Sequence, residues 1–155
     1  MIYLFEDRKG RMQQYFKKEL NSSYITEAIF ECEPNNLEDY INEHFRDAKC
    51  ILFHKSYSFP NTGMTGEIIK QAFISKGVPF VYFSGGLNNN LLFEKNTQTG
   101  TVNSGDLYNN LTVFIEEFKT KDKVNVPLLI YGKKYLLNSL LGLQHKLNQY
   151  LFSFS

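Results

Sequence analysis

The chain of 155 residues has little of several features that would each indicate a particular class of protein. It has two cysteines, Cys32 and Cys50, whose spacing matches no metal-binding or CxxC motif, so we expect two reduced thiols. Its apolar runs fall far short of the roughly 20 residues of a membrane helix. The N-terminus turns acidic after five residues and lacks the basic region and cleavage site of a signal peptide. These absences predict a soluble, cytoplasmic protein with no membrane partner.

An excess of one charge is also missing. The chain carries 17 Lys and Arg against 16 Asp and Glu, a net charge of +1. Nucleic-acid binding depends on clustered Lys and Arg, so this balance argues against a nucleic-acid partner. Hydrophobic residues make up 43% of the chain and aromatic residues 15%. That content is enough for a buried core, and together with the balanced charge it argues against intrinsic disorder.

Short apolar runs alternate with amphipathic stretches along the first 119 residues. Strands that are apolar on both faces and alternate with helices form parallel sheets covered on each side. The pattern therefore predicts an α/β domain over residues 1–119, a three-layer flavodoxin-like fold whose five-stranded parallel sheet has the order 2-1-3-4-5. The predicted strands are 2–5, 24–32, 50–53, 78–83 and 100–102, and the predicted helices are 10–20, 37–45, 65–75 and one that begins at Ser104 or Asp106.

Residues 120–155 differ in character from this domain. A charged linker and a short apolar segment precede a predicted helix over 133–151. Four leucines share one stripe of that helix: Leu136, Leu140, Leu143 and Leu147. Such a stripe packs either on its own domain or on another chain. Since a five-stranded domain already covers both faces of its sheet, and apolar surface of this size is rarely left exposed, we predict a homodimer interface.

Polar residues follow the predicted strands at their carboxyl ends, the edge where parallel sheets carry their sites. The set is Glu6, Asp7, His54, Ser56, Ser84 and Asn103. Two carboxylates without a third make a poor Mg²⁺ site, so we predict no metal, with Glu6 and Asp7 as weak candidates only. Structural roles compete with functional ones here. Asp7 can cap a helix, His54 can be a hydrogen-bonded structural histidine, and Ser84 with the two glycines after it can form a tight turn.

The order of these motifs resembles the receiver domain of response regulators, which belong to two-component signal transduction systems. The resemblance covers residues 1–119 and is carried by the acidic pair after the first strand, Pro60 beyond the third, and the strand 78–83, which opens Val-Pro and runs into Ser84. It implies a Mg²⁺ ion on the acidic pair and a phosphoryl-accepting aspartate after the third strand. It also implies a Ser or Thr switch residue after the fourth strand and a lysine after the fifth.

This chain departs from the family pattern at the decisive positions. The acceptor position falls at His54 or Ser56, neither of which is a carboxylate, and Asn103 stands at the lysine position. The resemblance therefore implies a degenerate pseudo-receiver without enzymatic activity or cofactor, which acts as a phosphorylation-independent signalling adaptor through contacts with partner proteins. The alternative is a small-ligand sensor or weak enzyme, whose strand-end pocket binds a ligand with hydroxyl or phosphate groups.

Overall fold

The computed structural model describes residues 1–8, 10, 11, 13, 23–59, 63–86 and 92–153. The predicted helix over 10–20 lies mostly outside the described residues, as does Pro60. The strands are β1 Ile2–Phe5, β2 Ile25–Glu27, β3 Cys50–His54, β4 Phe80–Ser84, β5 Leu92–Glu94 and β6 Thr99–Asn103. The helices are α1 Leu37–His44, preceded by a 3₁₀ turn, α2 Gly66–Ser75, α3 Ser104–Lys121, α4 Val126–Tyr131 and α5 Lys133–Phe152.

The strands form one mostly parallel sheet in the order β2-β1-β3-β4-β6-β5. The predicted α/β class is confirmed, but the predicted five strands in the order 2-1-3-4-5 are wrong in count and order. The difference is β5, which pairs antiparallel with β6 at the sheet edge, in a segment that the hydrophobic pattern left unassigned. Only four residues separate β5 from β6, too few for the crossover that a parallel pair requires. Gln98 turns the chain back with a left-handed φ of 54°.

Helices cover both faces of the sheet, because alternate residues of each central strand point to opposite sides. Leu4 and Leu52 face the layer formed by α3 and α4. Phe5 and Phe53 face α1 and α2, where most of the buried phenylalanines gather. The fully buried rings on this second face are Phe5, Phe53, Phe73 and Phe80. The high aromatic content of the sequence thus builds one side of the core.

The segment after α3 contributes to the core as well. Val126, Leu128 and Leu129 of α4 are completely buried. The Asn110 side chain of α3 donates a hydrogen bond of 2.9 Å to the Leu129 carbonyl and so fixes the end of α4. The segment predicted as a charged linker after residue 119 begins later than predicted, because α3 continues to Lys121. Basic side chains stabilise the last turn of a helix, where carbonyl groups lack partners.

Gly132 joins α4 to α5 in a backbone conformation that residues with a side chain rarely adopt. Its φ is 72°, and a Cβ atom at this position would collide with the Asn110 carboxamide. The contact between Asn110 and this junction therefore sets where α5 leaves the domain. Among the described helices, none combines the length and the hydropathy that a membrane span requires.

Candidate functional site

The adjacent ends of β1 and β3 bring together three of the predicted site residues. Phe5 is paired with Phe53, so Glu6, Asp7 and His54 follow side by side at the carboxyl edge. The His54 Nε2 atom lies 3.5 Å from Asp7 Oδ1 and 4.0 Å from Glu6 Oε1. The Glu6 side chain is 0% exposed, that of His54 5% and that of Asp7 23%. The structure thus brings three of the six predicted site residues together.

Two further residues, absent from the predicted set, complete what we call the strand-end cluster: Glu6, Asp7, Arg11, His54 and Tyr108. The Tyr108 hydroxyl, from α3, donates a hydrogen bond to Glu6 Oε2. The Asp7 backbone N–H donates to Glu6 Oε1 at 3.0 Å, and Arg11 Nη1 lies 3.8 Å from that same oxygen. The only sequence signal for Tyr108 was its place beside Leu107 in the first turns of a helix with a buried apolar face.

The two carboxyl groups of the cluster titrate in opposite directions. Burial, together with the hydrogen bond to Asp7, raises the pKa of Glu6 to about 7, against the lowering effects of Tyr108 and Arg11. Burial acts to raise the pKa of Asp7 too, but the hydrogen bond with Glu6 and the nearby His54 and arginines outweigh it, so this pKa is lowered. Around neutral pH, Asp7 is therefore charged while Glu6 exchanges a proton, and the pair titrates as a unit.

His54 is a neutral imidazole that accepts a hydrogen bond in this arrangement. The Ser56 backbone N–H donates to His54 Nδ1 at 3.0 Å, so the proton of the neutral ring sits on Nε2, which faces the carboxylates. Burial lowers the pKa of His54, and the positive charges of Arg11 and Arg8 lower it further, against the raising effect of Asp7. The ring also packs edge-on against Phe83, with the centroids 5.0 Å apart. These contacts match the structural role considered for this histidine.

Three side chains of the cluster are close enough to bind one metal ion, but the protonation state of His54 does not favour metal binding. Donor atoms of Glu6, Asp7 and His54 lie within 4.8 Å of one another. A metal needs a free Nε2 lone pair, whereas the hydrogen bond at Nδ1 keeps the proton on Nε2. Glu6 already accepts two hydrogen bonds, and the Arg11 guanidinium is close to one of its oxygens. We infer that this set of side chains does not fit a divalent cation.

We therefore expect excess Mg²⁺ or Zn²⁺ to leave the melting temperature of the protein unchanged. A ligand at a hundred times its dissociation constant would add about 2.7 kcal/mol of stability, which shifts a melting curve by several degrees. Differential scanning fluorimetry, with and without chelator, measures this directly. A metal-dependent rise that disappears in Asp7→Asn and in His54→Gln, but persists in the surface control Asp39→Asn, would contradict the inference.

The remaining predicted residues serve local backbone geometry. The Ser84 Oγ atom accepts a hydrogen bond of 3.3 Å from the Gly86 N–H, as expected for a turn. Asn103 caps α3 by accepting from the Gly105 N–H at 2.8 Å, and its Nδ2 donates to the Gly85 carbonyl at 3.3 Å. Ser84 and Asn103 are cross-strand partners of β4 and β6. The six predicted residues thus form two groups, one around His54 and one around Ser84.

An open groove of about 570 Å³ runs beside the strand-end cluster. Among the described residues, the charged side chains that line it are all acidic: Glu6, Asp7, Glu27 and Glu31. Carboxylates repel a phosphate group, so the groove does not favour the phosphate-bearing ligand considered in the sequence analysis.

The predicted dimer residues lie on α5. The side chains of Leu140, Leu143 and Leu147 are 63%, 64% and 55% exposed, whereas the side chain of Leu136 lies outside the described part of the structure.

Comparison with known proteins found no matching family model, no similar curated protein and no similar solved structure.

Proposed function

We propose that the protein is a phosphorylation-independent signalling adaptor with a pseudo-receiver fold, which acts through contacts with other proteins. One observation supports this most strongly: His54, one of the two residues at the predicted acceptor position, is buried, and its Nδ1 accepts a hydrogen bond from the Ser56 N–H. The neighbouring Glu6 side chain accepts a hydrogen bond from the Tyr108 hydroxyl. The strand-end cluster therefore links β1, β3 and α3 through contacts among its own side chains.

The carboxylates that remain at this edge are poorly suited to accept a phosphoryl group. Transfer to a carboxylate needs a divalent cation that screens the incoming charge. The protonation of His54 and the two hydrogen bonds to Glu6 disfavour such an ion. The lowered pKa of Asp7 keeps this carboxylate charged. The group beside it is the partly protonated Glu6, which cannot screen the charge of an incoming phosphoryl group as a metal ion would.

The proposal predicts that acetyl phosphate with Mg²⁺ leaves the intact mass of the protein unchanged. The measurement is intact mass spectrometry after two parallel quenches, an acidic one that preserves an aspartyl phosphate and a mildly basic one that preserves a phosphohistidine. An active receiver domain treated in the same way is the positive control for the acidic quench. A gain of one phosphate that maps to Asp7 or His54, and is lost in the Asp7→Asn or His54→Gln variant, would refute an adaptor that works without phosphorylation.

A further inference from the structure

The described apolar side chains of helix α5, from Leu137 onward, are exposed to solvent. Every described side chain from Leu140 to Phe152 is exposed, and the exposed fraction reaches 62% at Tyr150 and 82% at Phe152. Soluble proteins rarely leave a continuous apolar stripe of this length uncovered. The stripe therefore needs an occupant, and the position of its side chains along the helix indicates which one.

The stripe has the spacing of a two-stranded helical seam. Its residues follow one another in steps of four, three, four and three: Leu136, Leu140, Leu143, Leu147 and Tyr150. This repeat of 3.5 residues keeps a narrow row of side chains facing a second helix, as the a and d positions of a coiled coil do. Leu137 and Leu151 widen the seam on one side, and Leu141 extends it further.

The area available is of the size that a modest dimer needs. Burying one leucine removes on the order of 100 Å² from water, so the seam with its flanking leucines supplies roughly 600 Å² from each copy. The total of about 1,200 Å² lies at the lower end of specific interfaces. A second copy of α5 supplies an equal and matching surface.

The charges on α5 distinguish the two possible orientations of such a pair. All three of its charged side chains are basic, Lys133, Lys134 and Lys146, and none of the 16 acidic residues lies beyond Asp122. Residue 133 falls on the same repeat as Leu140, so a parallel pair sets Lys133 against its own copy. Lys146 then also lies at the same height as its copy. In a parallel pair, the Lys133 contact and the Lys146 contact therefore both place like charges together.

We propose that α5 pairs antiparallel with α5 of a second copy, in the register that sets Leu140 opposite Leu143 and position 136 opposite Leu147. The same register places Lys133 against the ring of Tyr150 at each end, a cation–π contact in place of a repulsion. It also directs the two helix dipoles in opposite senses. This inference rests on the proposed function. The antiparallel pair would give the adaptor a two-fold symmetric dimer that displays two copies of its domain.

The oligomeric state of the full chain tests the pairing. We expect light scattering to give twice the mass of one chain at high micromolar concentration. Leu140→Asp with Leu147→Asp should halve that mass and leave the circular dichroism and melting curve those of a folded protein, because these side chains contact no core. The matched control, His145→Asp with Gln149→Asp, adds the same two charges on the opposite face and should remain a dimer.

Disulfide formation between variants tests the orientation. In a Cys32→Ser background, Leu136→Cys and Leu147→Cys chains mixed together should form a heterodisulfide under mild oxidation. Leu147→Cys alone should form none, since an antiparallel pair separates the two copies of this residue by about 16 Å. A homodisulfide of Leu147→Cys would overturn the antiparallel register.

Two other outcomes would overturn the pairing itself. A wild-type monomer that sediments with anionic but not with neutral lipid vesicles would make a membrane surface the occupant of this basic amphipathic helix. A seam variant that unfolds would mean that α5 packs on its own domain. Either result would leave the adaptor proposal in place, because that proposal is tested separately by phosphoryl transfer.

Discussion

A chain that ends at residue 121 should lose its cooperative unfolding transition, whereas a chain that ends at residue 132 should fold. The difference is α4, which buries Val126, Leu128, Leu129 and Ile130. Each buried side chain of this kind contributes about 1.5–3 kcal/mol, so the helix as a whole supplies roughly 6–12 kcal/mol. That is comparable to the entire free energy of unfolding of an ordinary domain. The shorter chain would also expose the face of α3 that α4 covers.

Urea and thermal unfolding followed by circular dichroism measure this difference. The two truncated chains are compared with each other, because both lack α5 and neither gains stability from association through it. A chain ending at residue 121 with the same melting temperature as the chain ending at residue 132 would show that α4 is an appendage. The domain boundary predicted near residue 119 would then be supported.

The second large effect is expected at Tyr108. Replacing it with Phe removes the hydroxyl that donates to the buried Glu6 carboxylate. Hydrogen bonds to charged groups contribute about 1.5–3 kcal/mol, so we expect Tyr108→Phe to lose on the order of 2 kcal/mol of unfolding free energy at pH 8. At pH 5 the loss should be smaller, because Glu6 is then protonated and its need for a donor is weaker.

The direction of the pH dependence follows from the raised pKa of Glu6. Between its ordinary pKa of 4.5 and the folded pKa of about 7, the folded state binds more protons than the unfolded state. The contribution of Glu6 to stability is therefore complete below pH 4.5 and is lost as the pH rises through 7. Glu6→Gln should abolish this part of the profile. The lowered pKa of His54 acts in the opposite sense, since its contribution is present above pH 6.5 and falls as the solution becomes more acidic.

Urea unfolding of the wild type, Tyr108→Phe and Glu6→Gln at pH 5 and pH 8 separates these effects. Tyr24→Phe is the matched control, because its ring packs edge-on against Phe118 in the same half of the core. Tyr24→Phe should lower the free energy of unfolding by the same amount at pH 5 and at pH 8. An equal loss at pH 5 and pH 8 for Tyr108→Phe would mean that the hydroxyl does not stabilise the charge on Glu6.

The sequence by itself determined the α/β class and the meeting of Glu6, Asp7 and His54. Runs that are apolar on both faces can be buried only inside a layered sheet, and the ends of neighbouring parallel strands must then lie together. The seam spacing on α5 is likewise a property of sequence alone, since it depends only on the 3.5-residue repeat.

Only the tertiary structure decided the rest. β5 is three residues long, too short for a periodic signal, and forms because β6 offers it an open edge. Tyr108 reaches Glu6 across 102 residues of sequence, a contact that no local pattern encodes. The run 126–130 is apolar in the sequence, but its place against α3 depends on the Asn110 bond and on the shape of the helix layer. Whether the leucines of α5 are buried or exposed depended on the same packing, because α4 had already taken the apolar face of α3.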